Sequence, residues 1–226
     1  MSLSSLQEKT NTTKLLVFVF LVGLLSLTFL VFNVKQVSAA SVQPTSSSTS
    51  GWTTTTIQLN WTKGAGGDEE FFAVASSTDN ITFQFATTTI PSTTLSYTFT
   101  GLATNTRYYF LVAAVSSTNQ ATSTAATSTE TYTLANIPDI PTIGTATITT
   151  LPITINATGN PVVSTTYAIY NTTTLNYLDA AGASTASPVW QNTSTWGASF
   201  AAIGLATNTL YQFAVIARNG ANTTTV

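Results

Sequence analysis

Gly101-Leu102-Ala103-Thr104-Asn105-Thr106 recurs as Gly204-Leu205-Ala206-Thr207-Asn208-Thr209, 103 residues further along the chain. Each copy runs into an alternating stretch: Tyr108, Phe110, Val112 and Ala114 in the first, Tyr211, Phe213, Val215 and Ala217 in the second. Side chains two apart on a strand share a face, so each set reads as the inward side of a half-buried strand. Just upstream, Tyr97 and Phe99 align with Phe200 and Ala202, giving another alternating run that turns at the glycine. One structural unit is therefore written twice.

Looser correspondences extend the repeat upstream. Ile57-x-Leu59-x-Trp61 matches Ile153-x-Ile155-x-Ala157, and Phe72-x-Val74 matches Tyr167-x-Ile169. Between the copies, Ile137-Pro138-Asp139-Ile140-Pro141 carries two prolines, which stop helices and central strands alike, and marks the boundary. Short runs separated by Gly, Asn and Pro turns, with almost no helical periodicity, imply an all-β antiparallel sandwich or barrel.

These residues resemble the fibronectin type III module: a Trp closing the second strand, an aromatic opening the third, then G-L-x-x-x-T-x-Y-x-Φ-x-V-x-A. The first copy supplies Trp61, Phe72, Leu102, Thr106, Tyr108, Val112 and Ala114; the second supplies Tyr167, Leu205, Thr209, Tyr211, Val215 and Ala217. The resemblance implies two tandem antiparallel β-sandwiches, residues 41–136 and 137–226. Their cores would centre on Trp61, Phe72, Tyr108 and Val112, and on Tyr167, Tyr211, Phe213 and Val215. Tyr108 and Tyr211 match the tyrosine corner, whose hydroxyl bonds to the backbone just upstream. Three departures stand out. Ala157 replaces the expected Trp, the second copy carries extra residues around Trp190 and Trp196, and it reaches Val226 before its last strand is laid down. That strand belongs either to a longer protein or to a partner.

Residues 1–40 read as an apolar targeting helix. Lys9 and Lys14 precede the uncharged run Leu15–Phe32, and Val37-Ser38-Ala39-Ala40 offers a small-residue exit. The run is long for a signal core and just long enough to span a bilayer, so it is either a cleaved signal or an anchor. Both place the rest of the chain outside the cytoplasm, with the membrane touched only through this segment. Beyond it, three bases (Lys63, Arg107, Arg218) face seven acids, a net charge of −4.

Charged residues make up 6% of the chain, Cys and His none. That excludes disulfides, Cys/His metal sites and any triad built on imidazole. Three bases cannot form the stripe that nucleic acid requires. Asp68, Glu69 and Glu70 share one loop but lack the ligand number of a strong Ca²⁺ site, and offer no carboxylate pair across a cleft. No catalytic residue, metal or cofactor is expected. Trp190 and Trp196 either fill the space left by Ala157 or stack on sugar rings. The expected role is a non-catalytic spacer or adhesion part of a secreted or cell-surface bacterial protein. Its partner would be a surface protein or polysaccharide, with further tandem modules alongside. The alternatives are a glycan-binding accessory module of a larger secreted enzyme and a strand-exchanging assembly subunit.

Overall fold

The computed structural model describes residues 41–66, 69–116, 122–128 and 130–225. The targeting helix expected over 1–40 lies outside the described residues. Among those described, no helix is long and apolar enough to cross a membrane.

The first half runs β1 (Ser46–Ser50), β2 (Ile57–Thr62), β3 (Phe71–Ser77), β4 (Gln84–Pro91), β5 (Ser96–Phe99), β6 (Arg107–Val115), β7 (Ala126–Thr127) and β8 (Thr131–Tyr132). β1, β2 and β5 form one sheet, in that order. β4, β3, β6 and β7 form the other, with β8 against the start of β6. Alternation drives the packing. Ile57, Leu59 and Trp61 point inward from β2 while Gln58 and Asn60 stay partly exposed. From the facing sheet come Phe72, Val74, Phe110, Val112 and Ala114, all buried in the same cluster. Trp61 meets Phe72 edge to face at 5.3 Å, the geometry favoured by the ring quadrupoles.

The second half repeats this plan. It runs β9 (Asp139–Ile143), β10 (Leu151–Asn156), β11 (Thr166–Asn171), β12 (Asn176–Leu178), β13 (Ser184–Thr185), a helical turn α1 (Thr193–Trp196), β14 (Phe200–Ala202), β15 (Phe213–Arg218) and β16 (Thr224–Thr225). Its sheets are β14-β10-β9 and β13-β12-β11-β15-β16. The two-proline segment read as a boundary enters β9. Pro141 is tolerated there because β9 is an edge strand, where a missing N–H costs no ladder bond.

The strand pairing corrects the upstream register. Ile57 pairs with Phe99, and Leu151 pairs with Ala202, the residue equivalent to Phe99. Leu151 is thus the counterpart of Ile57, and Ile155 rather than Ala157 stands in the place of Trp61. Matching threonine turns set this register. Thr53 N–H donates to Thr56 O and Thr147 N–H to Thr150 O. Leu102 N–H then donates to Thr55 O as Leu205 N–H does to Thr149 O, each at 3.0 Å.

The room left by the smaller Ile155 is taken by Trp196. Asn192 caps α1, its Oδ1 accepting from Thr195 N–H at 2.9 Å. The turn swings the indole into the second core, where it is buried against Phe200 with ring centroids 4.5 Å apart. Its Nε1 donates to Tyr167 O at 2.9 Å.

One difference between the halves is large. β6 has nine residues and β15 six. β6 is covered on its outer side by β7 at Leu111 and Val112 and by β8 at Arg107 and Tyr108. Beside β15, β16 pairs only with Ala217 and Arg218, and among the described residues no strand flanks Phe213–Ile216 on that side. Leu210–Gln212, the counterparts of Arg107–Tyr109, lie outside strand geometry.

Candidate functional site

The repeated turn builds both ends of the site. Gly101 and Gly204 each hold φ +69°, a conformation costly for any residue with a Cβ. Asn105 and Asn208, at φ +40° and +52°, occupy the left-handed region that asparagine tolerates best among side-chain-bearing residues. Tyr108 Oη accepts from Ala103 N–H at 2.9 Å, and Tyr211 Oη from Ala206 N–H at the same distance. Both tyrosines thus tie strand to turn.

Only the first turn is docked. Asn105 is buried, its Nδ2 donating to Thr165 Oγ1 at 2.7 Å and its Oδ1 accepting from Gly220 N–H at 2.9 Å. Its carbonyl accepts from Ser164 Oγ at 3.2 Å. Thr165 and Gly220 lie on the second sandwich, so one side chain spans the seam. Asn219 Nδ2 crosses the other way to Thr133 O at 3.0 Å. The connecting segment is pinned as well. Asn136 N–H donates to Asn160 Oδ1 at 2.7 Å, and Asn160 Nδ2 returns to Asn136 O at 2.9 Å. Ala135 is buried in the second core. Gly220 packs so tightly that a Cβ there would lie 2.3 Å from Tyr132 Cε1.

Asn105, Thr133, Asn160, Thr165 and Asn219 are all buried polar residues, and all bond across or along this seam. A buried donor or acceptor costs little only when its partner is in place, so such a seam tolerates one geometry. On its flank a cleft of about 320 Å³ opens between Trp52 and Tyr132 on one side and Asn219–Ala221 on the other. Arg107 and Glu130 form an exposed ion pair at 3.5 Å near that cleft. Tyr109 donates to the same carboxylate at 3.2 Å; desolvation first and this bond second raise its hydroxyl above the ordinary tyrosine value.

The residues singled out in the sequence fall as follows. Trp61, Phe72, Tyr108 and Val112 lie in the first core and Tyr167, Phe213 and Val215 in the second, with Tyr211 half-buried against it. Trp196 corrects the sugar-stacking expectation: it is 3% exposed and its N–H is committed to Tyr167 O, leaving no face for a glycan. Trp190 is half-buried, one face under the Arg218 guanidinium at 4.7 Å. Burial lowers that guanidinium from its usual value, and Arg218 Nε donates to Thr166 Oγ1 at 2.9 Å. In the acidic loop, Asp68 is outside the described residues, Glu70 is exposed, and buried Glu69 pairs with Lys63 Nζ at 3.1 Å. Among the described residues no three carboxylates converge on a point.

Both halves are thus antiparallel two-sheet arrangements closed by a tyrosine corner. Residues 34–130 match the fibronectin type III domain model. A two-domain fibronectin type III segment from chicken tenascin matches 78% of this chain and 91% of its own length. Its TM-score is 0.54 at 16% identity. Domains A168–A170 of titin match 42% of this chain and 32% of their own length, with TM-score 0.36 and 20% identity. No curated protein matches the sequence.

Proposed function

We propose that the two sandwiches form a non-catalytic, rigid spacer in an exported protein, holding a distal adhesive or enzymatic part away from its base. The observation that carries this reading is Asn105, buried and bonded to Thr165 and Gly220 of the next sandwich. Domains joined by a flexible linker move independently by default, and a seam of buried hydrogen bonds supports the opposite behaviour. The nine-residue strand β6 alone spans about 30 Å at about 3.3 Å per residue. Rigidity is what turns two such lengths into reach. The exported setting follows from the reading of residues 1–40 and suits a sparsely charged, threonine-rich chain.

The chain has no cysteine, so paired spin labels can be introduced cleanly. Ile81→Cys and Leu175→Cys label exposed positions on the first and second sandwich. Pulsed electron resonance on this pair should give a single narrow distance distribution. A broad distribution in the otherwise unaltered chain would overturn the spacer reading.

A further inference from the structure

Where the two sandwiches meet, the cleft of about 320 Å³ lies between two closed hairpin connections. One is residues 51–56, joining β1 to β2; the other is residues 219–223, joining β15 to β16. Trp52 stands on the first with 42% of its surface exposed, and its Nε1–H meets no acceptor among the described residues. The duplicated module shows that this turn does not need an indole. Thr53 and Thr147 open matching turns, so Trp52 corresponds to Ala146, which carries no ring. An exposed tryptophan that the fold does not require is the residue type most concentrated at binding hot spots.

The rest of the wall is polar and close to neutral. Tyr132 from the first sandwich and Thr223 from the second both line the cleft, and neither hydroxyl bonds any group among the described residues. Glu130 accepts from Arg107 and Tyr109 on the same oxygen, Oε2, which leaves Oε1 open. The Arg107 guanidinium at 3.5 Å offsets its charge, and no other charged residue lines the cleft among those described. The two walls are fixed against each other by the Asn105 bond to Gly220 and by the close approach of Gly220 to the Tyr132 ring. The cleft is therefore formed before anything enters it, as small-molecule sites usually are.

Charge separates the ligand classes. A cation would have to compete with Arg107 for Glu130, and an anion would find only that already paired guanidinium. A flat apolar wall beside several unpaired donors and acceptors instead suits a ring with C–H groups on its face and hydroxyls on its edge. We propose that this cleft binds a neutral saccharide, one sugar ring stacked on Trp52. Its hydroxyls bond to the Trp52 N–H, Tyr132 Oη, Thr223 Oγ1 and Glu130 Oε1, so that few polar groups are left unpaired on closing. The volume is at the low end of the about 300–1,000 Å³ of small-molecule sites, which suits the end of a saccharide chain rather than a long stretch of one. Because the walls belong to different sandwiches, the bound sugar also bridges the seam.

The test titrates the full chain, isotope-labelled for resonance spectroscopy, with the neutral oligosaccharides cellotetraose, maltotetraose and chitotetraose. At least one should shift the Trp52 indole N–H and the amides of Gly220 and Ala221 at concentrations up to about 10 mM, the weak end of measurable affinity. Trp52→Ala should weaken that binding at least about tenfold while leaving the thermal midpoint unchanged, as expected of a hot-spot side chain the fold does not need. Thr223→Ala, on the opposite wall, should weaken it as well. Silence from all these sugars overturns the proposal. So does an equal response to glycerol at matched hydroxyl concentration, binding blind to both substitutions, or binding lost in Trp190→Ala and kept in Trp52→Ala. The spin-label distances read module rigidity alone, so each experiment can fail without the other.

Discussion

Asn105 and Asn208 hold the same place in the same turn with the same left-handed backbone, yet one is buried between two sandwiches and the other stands in solvent. The pair is an internal control. Replacing either by Ala incurs a similar penalty for a Cβ-bearing residue at positive φ. Only Asn105→Ala also strips partners from Thr165 Oγ1 and Gly220 N–H. Each buried group left unsatisfied costs about 1–3 kcal/mol. Thermal or denaturant unfolding should therefore show Asn105→Ala less stable than Asn208→Ala by at least about 1 kcal/mol. The spin-label distribution should broaden in the first variant and not in the second. Equal behaviour of the two would remove Asn105 from the seam.

Gly220→Ala tests the seam from its other side. The new Cβ would sit 2.3 Å from Tyr132 Cε1, closer than real contacts allow, so the ring or the sandwich must move. Overpacking of this kind costs about 1–3 kcal/mol. Tyr132→Ala in the same chain should recover most of the loss by vacating the space, a coupling that a double-mutant cycle measures directly. Additive effects would show that the ring is not what Gly220 accommodates.

The two core tryptophans differ in a way their burial conceals. Either substitution to Ala should cost about 3–5 kcal/mol. Substitution to Phe should separate them. Trp61 Nε1 is buried with no hydrogen-bond partner among the described residues, whereas Trp196 Nε1 donates to Tyr167 O. Trp61→Phe sheds an unsatisfied donor together with some volume, while Trp196→Phe breaks a buried bond worth about 1 kcal/mol net. Chemical denaturation should rank Trp196→Phe as the more damaging change. The reverse order would contradict the bonding assigned to the two indoles.

These contrasts show which parts of the molecule could be read in advance. The alternation around Tyr108–Ala114 and Tyr211–Ala217 is a local signal, and local periodicity fixes which face is buried. The pairing partner of Ile57 is not local. It depends on the threonine turn at Thr53–Thr56, whose copy at Thr147–Thr150 is obscured by Ile148, so matching by apolar pattern alone slipped two residues. The seam was less legible still. Asn105 lies 60 residues from Thr165 and 115 from Gly220, and an asparagine after Ala-Thr reads first as a turn former. That Asn recurs in both copies could have drawn attention to it, but only packing distinguishes the docked copy from the free one.

Asp79 gives the fold a pH signature. Its Oδ1 accepts from Ser77 Oγ at 2.7 Å and from the backbone N–H groups of Ile81 and Thr82 at 2.8 Å. The Ser77 bond first, then those of Thr82 and Ile81, hold its carboxyl down at about 2 from an ordinary 3.8. Bonds to the charged form stabilise the folded turn wherever the unfolded carboxyl is also ionised. That contribution is thus fully present above the ordinary value and fades as pH falls through the folded one, between about pH 4 and pH 2. The side-chain carbonyl resonance of Asp79 should titrate with a midpoint near 2, and Ser77→Ala should move it upward. Asp79→Asn should flatten the acid limb of stability against pH over that window, since the amide oxygen keeps accepting without titrating. A midpoint near 4 in the unaltered chain would show that the turn does not hold the carboxylate.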